Sequence, residues 1–122
     1  MSKLKKYGIA VATIVTALYV VAGGAAKLAG VEHVHHSFAV LGLPAWFGYF
    51  IGVCEILGAV ALFIRPLAAI SAAGLGFIML GALFYHVNYT PLVQAIPAFI
   101  LFLLCGYIFN VRRKKVLDES FN

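Results

Sequence analysis

Residues 46–64 read WFGYFIGVCEILGAVALFI, a run of apolar and small residues with a single carboxylate, Glu55, near its middle. About 20 mostly apolar residues are enough to cross a bilayer as a helix. A carboxylate inside such a helix is costly unless it is paired, protonated or hydrated. The stretch therefore predicts a membrane-spanning helix, and it predicts a polar partner for Glu55 on a neighbouring helix.

The rest of the chain has the same apolar character. Of its 122 residues, 64% are hydrophobic and 11% are charged, whereas soluble domains have about 45–50% apolar and about 25% charged residues. Apolar stretches of span length cover about 7–27, 46–64, 66–87 and 91–110, and Pro97 is expected to kink the last one. We therefore predict one all-α membrane domain over 1–122, a four-helix up-down bundle. A soluble globular domain is excluded.

Basic residues lie at one set of span ends. They are Lys3, Lys5 and Lys6 before the first span, Arg65 between the second and third, and the run RRKK at 112–115. Cytoplasmic flanks of membrane spans carry an excess of Lys and Arg, so both termini are predicted to be cytoplasmic. Basic residues next to a span usually set topology or contact lipid. No nucleic-acid partner is predicted.

Residues 28–44, LAGVEHVHHSFAVLGLP, fit neither a span nor a simple loop. Their apolar residues recur at steps of three and four, which is typical of an amphipathic helix, and Gly42 and Pro44 would end it. We expect this segment, between the first and second spans, to lie in the outer membrane interface or over the mouth of the bundle. The run HVHH at 33–36 offers too few ligands on one side for a metal, so no metal site is predicted.

Glu55 shares one helix face with Gly48 and Gly52, because these residues are spaced by four and three. Small residues in membranes pack against other helices, so Glu55 is predicted to point into the bundle. The predicted polar cluster consists of Lys27, Glu55, His86 and Gln94, and its aromatic rim consists of Trp46, Tyr85 and Tyr89. Two interpretations stay open. The cluster is a ligand pocket with Glu55 at its floor, or a structural group that fixes helix register.

Depth is an obstacle to pairing Lys27 with Glu55. Glu55 follows Trp46 by nine residues, which is about 14 Å below the outer boundary, while Lys27 is expected near that boundary. The pair forms only if segment 28–44 pushes Lys27 inward or if water fills a funnel between the two. The glycines predicted to pack helices are Gly24, Gly48, Gly52, Gly58 and Gly76, and such faces can also serve a homodimer.

Four sequence blocks carry a resemblance to a known family. AGGAAKLAG (22–30), FAVLGLP (38–44), IGVCEILGAVALF (51–63) and AAGLGFIMLGALFYH (72–86) resemble, in order and spacing, the DoxX-like membrane proteins. The strongest marks are Gly24 with Lys27, Glu55 between Gly52 and Gly58, and His86. The resemblance implies a bacterial inner-membrane protein with this bundle and polar cluster. It leaves activity open, because the family includes a thiosulfate:quinone oxidoreductase membrane subunit and, distantly, the receptor-assembly chaperone NACHO.

Three functions remain after this reading. The first is a non-catalytic accessory or chaperone-like assembly factor, supported by tiny extramembrane parts and small-residue helix faces. No cofactor is predicted for that role, and an enzyme is not favoured. The second is a quinone-linked oxidoreductase subunit, with Glu55 as proton acceptor, His86 as donor to a quinone oxygen and Lys27 stabilising the carboxylate. The third is a binding protein or transporter for a lipid or small molecule.

Overall fold

The computed structural model describes residues 2–121, and it describes side chains through Lys114. Met1 and Asn122 of the predicted domain, and the side chain of Lys115 in the basic run, lie outside the described residues. The elements are α1 (Lys3–Leu28), α2 (Glu32–Val40), α3 (Phe47–Ala61), α4 (Arg65–Tyr89), a 3-10 helix (Leu92–Ala95) and α5 (Ile96–Phe121). Every regular element in the described range is helical, so the predicted all-α class is confirmed.

Three helical segments are long and apolar enough to cross a membrane, namely Lys3–Leu28, Arg65–Tyr89 and Leu92–Lys114. The helix of the opening stretch is shorter than predicted. α3 has 15 residues, about 22 Å at 1.5 Å per residue, because the chain turns at 62–64 and enters α4 with Pro66 in its first turn. Four membrane spans therefore stay a prediction.

The last predicted span also differs from expectation. The sequence indicates one helix over 91–110 with a kink at Pro97. The structure instead has the 3-10 helix through Ala95 and starts α5 at Ile96. Pro97 lies in the first turn of α5, where a backbone N–H would have no intrahelical partner, so proline is well tolerated there.

The helices associate mainly in two pairs, α1 with α3 and α4 with α5, and contacts of α3 with α4 and of α1 with α5 join the pairs. The buried centre includes Val20, Leu62, Leu75, Cys105 and Ile108. Large apolar side chains also cover the outside, and Phe77 is 74% exposed. An apolar exterior of this extent suits lipid or another protein better than water.

Glycines bring α1 and α3 into near-contact of their backbones. A Cβ placed on Gly24 would lie 3.0 Å from the carbonyl oxygen of Gly52, and a Cβ on Gly52 would lie 2.9 Å from Cβ of Lys27. Gly58 packs in the same way against Leu75 of α4. Of the other predicted packing glycines, Gly48 lies under α2, and a Cβ on Gly76 would make an ordinary 3.6 Å contact with Cys105.

The segment between α1 and α3 forms the expected helix, α2, inside 28–44. Glycines in the left-handed conformation end α1 and α2, with φ of 76° at Gly30 and 78° at Gly42. At the first, the N–H of Val31 donates to the carbonyl of Ala26, and at the second the N–H of Leu43 donates to that of Phe38. Both helix ends are Schellman motifs. They turn the chain sharply, so that α2 contacts both α1 and α3.

Candidate functional site

The polar centre of the structure is an ion pair between α1 and α3. Lys27 Nζ lies 2.7 Å from Glu55 Oε1, and the two side chains are 14% and 3% exposed. Oε1 accepts no hydrogen bond from any other described residue, so the lysine is its partner. The structure thus brings the two charges of the predicted cluster into direct contact inside the bundle.

The close crossing of α1 and α3 explains how the pair forms. Because Cβ of Lys27 lies against Gly52, the lysine backbone is level with Gly52 and not with the top of α3. Glu55 is three residues further along, about 4.5 Å on the helix axis, within easy reach of a lysine side chain. A Cβ on Gly23 would lie 3.6 Å from both Glu55 Oε2 and Lys27 Nζ, so this glycine leaves space for the pair.

A histidine of α2 contacts the end of α1 that carries Lys27. His35 Nε2 lies 2.8 Å from the backbone oxygen of Lys27, and Nε2 carries the proton because a carbonyl oxygen only accepts. The His35 ring packs on Tyr49 with 4.4 Å between centroids, and a Cβ on Gly48 would overlap its Nδ1. The Lys27 carbonyl, in the last turn of α1, also accepts from the N–H of Gly30 at 3.1 Å, so His35 supplies its second hydrogen bond.

Sequence reasoning did not single out His35. The run HVHH offers His33 and His36 on a shared side, and the structure exposes both. The available signal was Gly48, since a glycine on an inward face marks the place where another element comes close. That signal shows that something packs there, but it does not show which side chain.

The structure places His86 and Gln94 apart from the ion pair. His86 Nδ1 donates to the Thr90 hydroxyl at 3.1 Å, and that hydroxyl donates to the His86 carbonyl at 2.8 Å, so the bonds of His86 stay within one turn. Gln94 is exposed on the 3-10 helix. The polar group assembled from α1, α2 and α3 is therefore Lys27, Glu55 and His35.

The predicted rim falls into two aromatic groups. Tyr85 and Tyr89 stack on α4 with 5.6 Å between centroids, beside His86. Trp46 lies before α3 and packs edge-on against Phe50 at 6.1 Å. The tyrosine pair belongs to the end of α4, and Trp46 with Phe50 belongs to the start of α3. The predicted rim residues therefore come from two different helices.

The chemistry open to this site is that of a neutralised pair. Two open cavities, of about 280 and 610 Å³, lie elsewhere on the bundle, and their lining residues do not include Lys27 or Glu55. Among the described side chains, no three His, Cys, Asp or Glu residues gather closely enough to hold a metal ion. The site holds α1, α2 and α3 together through one ion pair and one hydrogen bond.

Comparison with known proteins identifies the family. The model of the DoxX-like family matches residues 11–113, a range that includes the ion pair, His35 and His86. No protein of curated function and no solved structure matches the chain significantly. The match spans from the second turn of α1 to the basic part of α5. The chain therefore belongs to the DoxX-like family.

Proposed function

We propose that this DoxX-like protein is a non-catalytic accessory or assembly factor for other membrane proteins. The observation that carries the proposal is the closure of the ion pair: Glu55 is 3% exposed and Lys27 14%, and each faces the other. Charges closed in this way neutralise each other within the α1–α3 crossing and do not face a ligand. What the protein offers to partners is its apolar exterior, such as Ile70 and Phe77 of α4, which are 70% and 74% exposed.

The proposal includes four spans in a bacterial inner membrane with both termini cytoplasmic. Its support is the meeting of four helices at one basic end. The cavity of about 280 Å³ is lined from α1 by Ala10 and Thr13, from the α3–α4 turn by Leu62, from α4 by Arg65 and from α5 by Arg112. An up-down order brings the start of α1, the end of α3, the start of α4 and the end of α5 to the same membrane surface.

Rescue of a deletion strain tests the assembly role. Membrane proteins that lose abundance when the gene is deleted would be measured by quantitative proteomics after rescue with variants. We expect rescue by Lys27→Met/Glu55→Leu, which replaces the pair by apolar side chains, and reduced rescue by Ile70→Ala/Phe77→Ala at equal protein level. Failure of the first variant, when it is folded and inserted, would show that the charges act in the function itself.

A quinone-linked subunit is the second candidate. It is favoured by the imidazole of His35, a group able to exchange protons, which stacks on Tyr49 and is bonded to the backbone of Lys27. Native mass spectrometry of gently extracted wild type and Glu55→Gln separates the candidates. A quinone retained by the wild type and lost in the variant would favour this role. The same spectra would report a homodimer, which we propose as a further use of the small-residue faces.

A further inference from the structure

The basic end of the bundle holds a cavity distinct from the Lys27–Glu55 pair. It has a volume of about 280 Å³ and is lined by three helices, α1, α4 and α5, and by the α3–α4 turn, through Ala10, Thr13, Ile14, Leu62, Phe63, Arg65, Ala68 and Arg112. Pockets that bury drug-sized ligands are about 300–1,000 Å³, so this cavity suits a small polar group. We propose that it binds a phosphate group between Arg65 and Arg112.

Charge is the first argument. Arg65 comes from α4 and Arg112 from α5, so the fold brings two cations from distant parts of the chain to one cavity. The Nε atom of Arg112 is buried and has no hydrogen-bond partner among the described residues. Guanidinium groups bind phosphate oxygens through paired N–H donors, and a buried donor without a partner is costly. A phosphate in the cavity would neutralise the arginine charges and accept a hydrogen bond from Arg112 Nε.

Among the side chains described through Lys114, no carboxylate lines the cavity. The sequence has four Asp and Glu residues. Glu55 is paired with Lys27. Glu32 lies on α2, which connects the C-terminal end of α1 to the N-terminal end of α3, at the opposite end of the bundle from the cavity. The other two, at 118 and 119, belong to the part of α5 whose side chains are not described. None of the eight residues that line the cavity is acidic.

Backbone and depth are the second argument. Arg65 is the first residue of α4, and its N-cap, Ile64, offers no side-chain hydrogen bond. The positive end of a long helix therefore adds to the two arginines. Thr13 lines the opposite wall from α1, about two turns inside the basic N-terminus.

The shared chemistry is an anionic phosphate group, and either a lipid headgroup or free inorganic phosphate could supply it. Full-length protein in dodecyl maltoside would be titrated with phosphatidylglycerol, phosphatidylcholine of the same chains, and inorganic phosphate against chloride at equal ionic strength. Native mass spectrometry would count bound lipid, and thermal unfolding would report phosphate. Binding to phosphatidylglycerol alone identifies a lipid site, and stabilisation by inorganic phosphate as well identifies a site for the phosphate group itself. Either result supports the proposal.

The decisive variants are Arg65→Gln and Arg112→Gln, each expected to weaken phosphatidylglycerol retention about tenfold, the value of a charge-assisted hydrogen bond. Arg113→Gln is the matched control, because Arg113 neighbours Arg112 but is exposed and bonded to Asn110. An equal loss of phosphatidylglycerol retention in Arg113→Gln would show that retention depends only on general surface charge, and it would overturn the proposal. So would arginine variants that melt earlier without any change in phosphate or lipid binding, since the arginines would then only cap the carbonyls of α3.

Discussion

At the scale of single residues, the Lys27–Glu55 contact joins two charges that would each be costly alone in an apolar bundle. Breaking one partner of a buried pair leaves the other charge uncompensated, whereas replacing both by apolar side chains can be neutral or stabilising. The bundle should therefore be stable with both charged side chains or with neither, and less stable with only one of them.

The first prediction compares those cases. Glu55→Gln is expected to lower the free energy of unfolding by about 3 kcal/mol, because Lys27 stays in the bundle without its carboxylate at 2.7 Å. Lys27→Met/Glu55→Leu is expected to fall within about 1 kcal/mol of wild type. Unfolding by SDS titration in mixed micelles measures both. A double variant as unstable as the single one would contradict the argument.

The second prediction concerns the glycine crossing. Gly52→Ala is expected to cost about 1–3 kcal/mol, as other overpacked sites do, because its new Cβ meets Lys27 Cβ at 2.9 Å and the Gly24 oxygen at 3.1 Å. Gly74→Ala is the matched control on α4, where a new Cβ meets nothing within 4 Å. Thermal unfolding of the two variants in one detergent checks the difference. Equal melting temperatures would show that α1 and α3 can separate without loss.

The residue patterns predicted which helix faces turn inward better than which side chains meet. Glu55 and its glycines share a face by spacing alone, and the structure buries that face. The spacing could not show that Lys27 lies level with Gly52, because the depth of one helix against another depends on how closely their backbones approach. The spacing also could not show that the His86 ring bonds locally, to the hydroxyl of Thr90 one turn away.

At the scale of elements, α2 is a short helix held between two sharp glycine turns and one histidine bond. It has nine residues and none of them is fully buried. Isolated helices of this length are marginal, so its stability depends on its ends and on the contact of His35 with Lys27 and Tyr49. α2 is thus the element most sensitive to changes outside its own sequence.

Two glycines with equal space but different backbone conformations test this dependence. A Cβ meets nothing within 4 Å at Gly42 or at Gly81. Gly42 has φ of 78°, so Gly42→Ala should cost about 1–2 kcal/mol. Gly81→Ala lies inside α4 and should instead stabilise by about 0.5–1 kcal/mol. Unfolding free energies give the signs, and hydrogen exchange should show faster opening of α2 in Gly42→Ala only.

Helix positions were predictable from hydropathy, but helix ends were not. Only Arg65 separates the apolar run at 46–64 from the one at 66–87, so composition places the turn near Arg65 but does not show that it begins at Leu62. The same holds at 91–97, where two prolines fit a kinked helix as well as a separate 3-10 turn. In both places local hydrogen bonding decides the boundary, and hydropathy carries no information about it.

At the scale of the whole molecule, the number of crossings decides which termini share a side. Four crossings put Lys5 and Lys114 on one surface and Asn88 on the other, whereas three crossings would separate the two lysines. In a background free of Cys54 and Cys105, we expect Lys5→Cys and Lys114→Cys to react with a membrane-impermeant maleimide only after permeabilisation. Asn88→Cys should react in intact cells. Opposite labelling of the two lysine positions would refute the four-span arrangement.

The short length of α3 has a mechanical consequence for the surrounding lipid. Its outer face carries Val53, Leu57 and Val60, which are exposed, on a helix about 22 Å long, beside a hydrocarbon layer about 30 Å thick. In the proposed four-span arrangement, lipid against that face would have to compress, while the longer α1 and α4 could tilt to match. Each protein would then carry a thinned patch of bilayer on one flank. Membrane proteins whose own spans are short would gather at that patch because elastic strain is relieved when the two deformations merge.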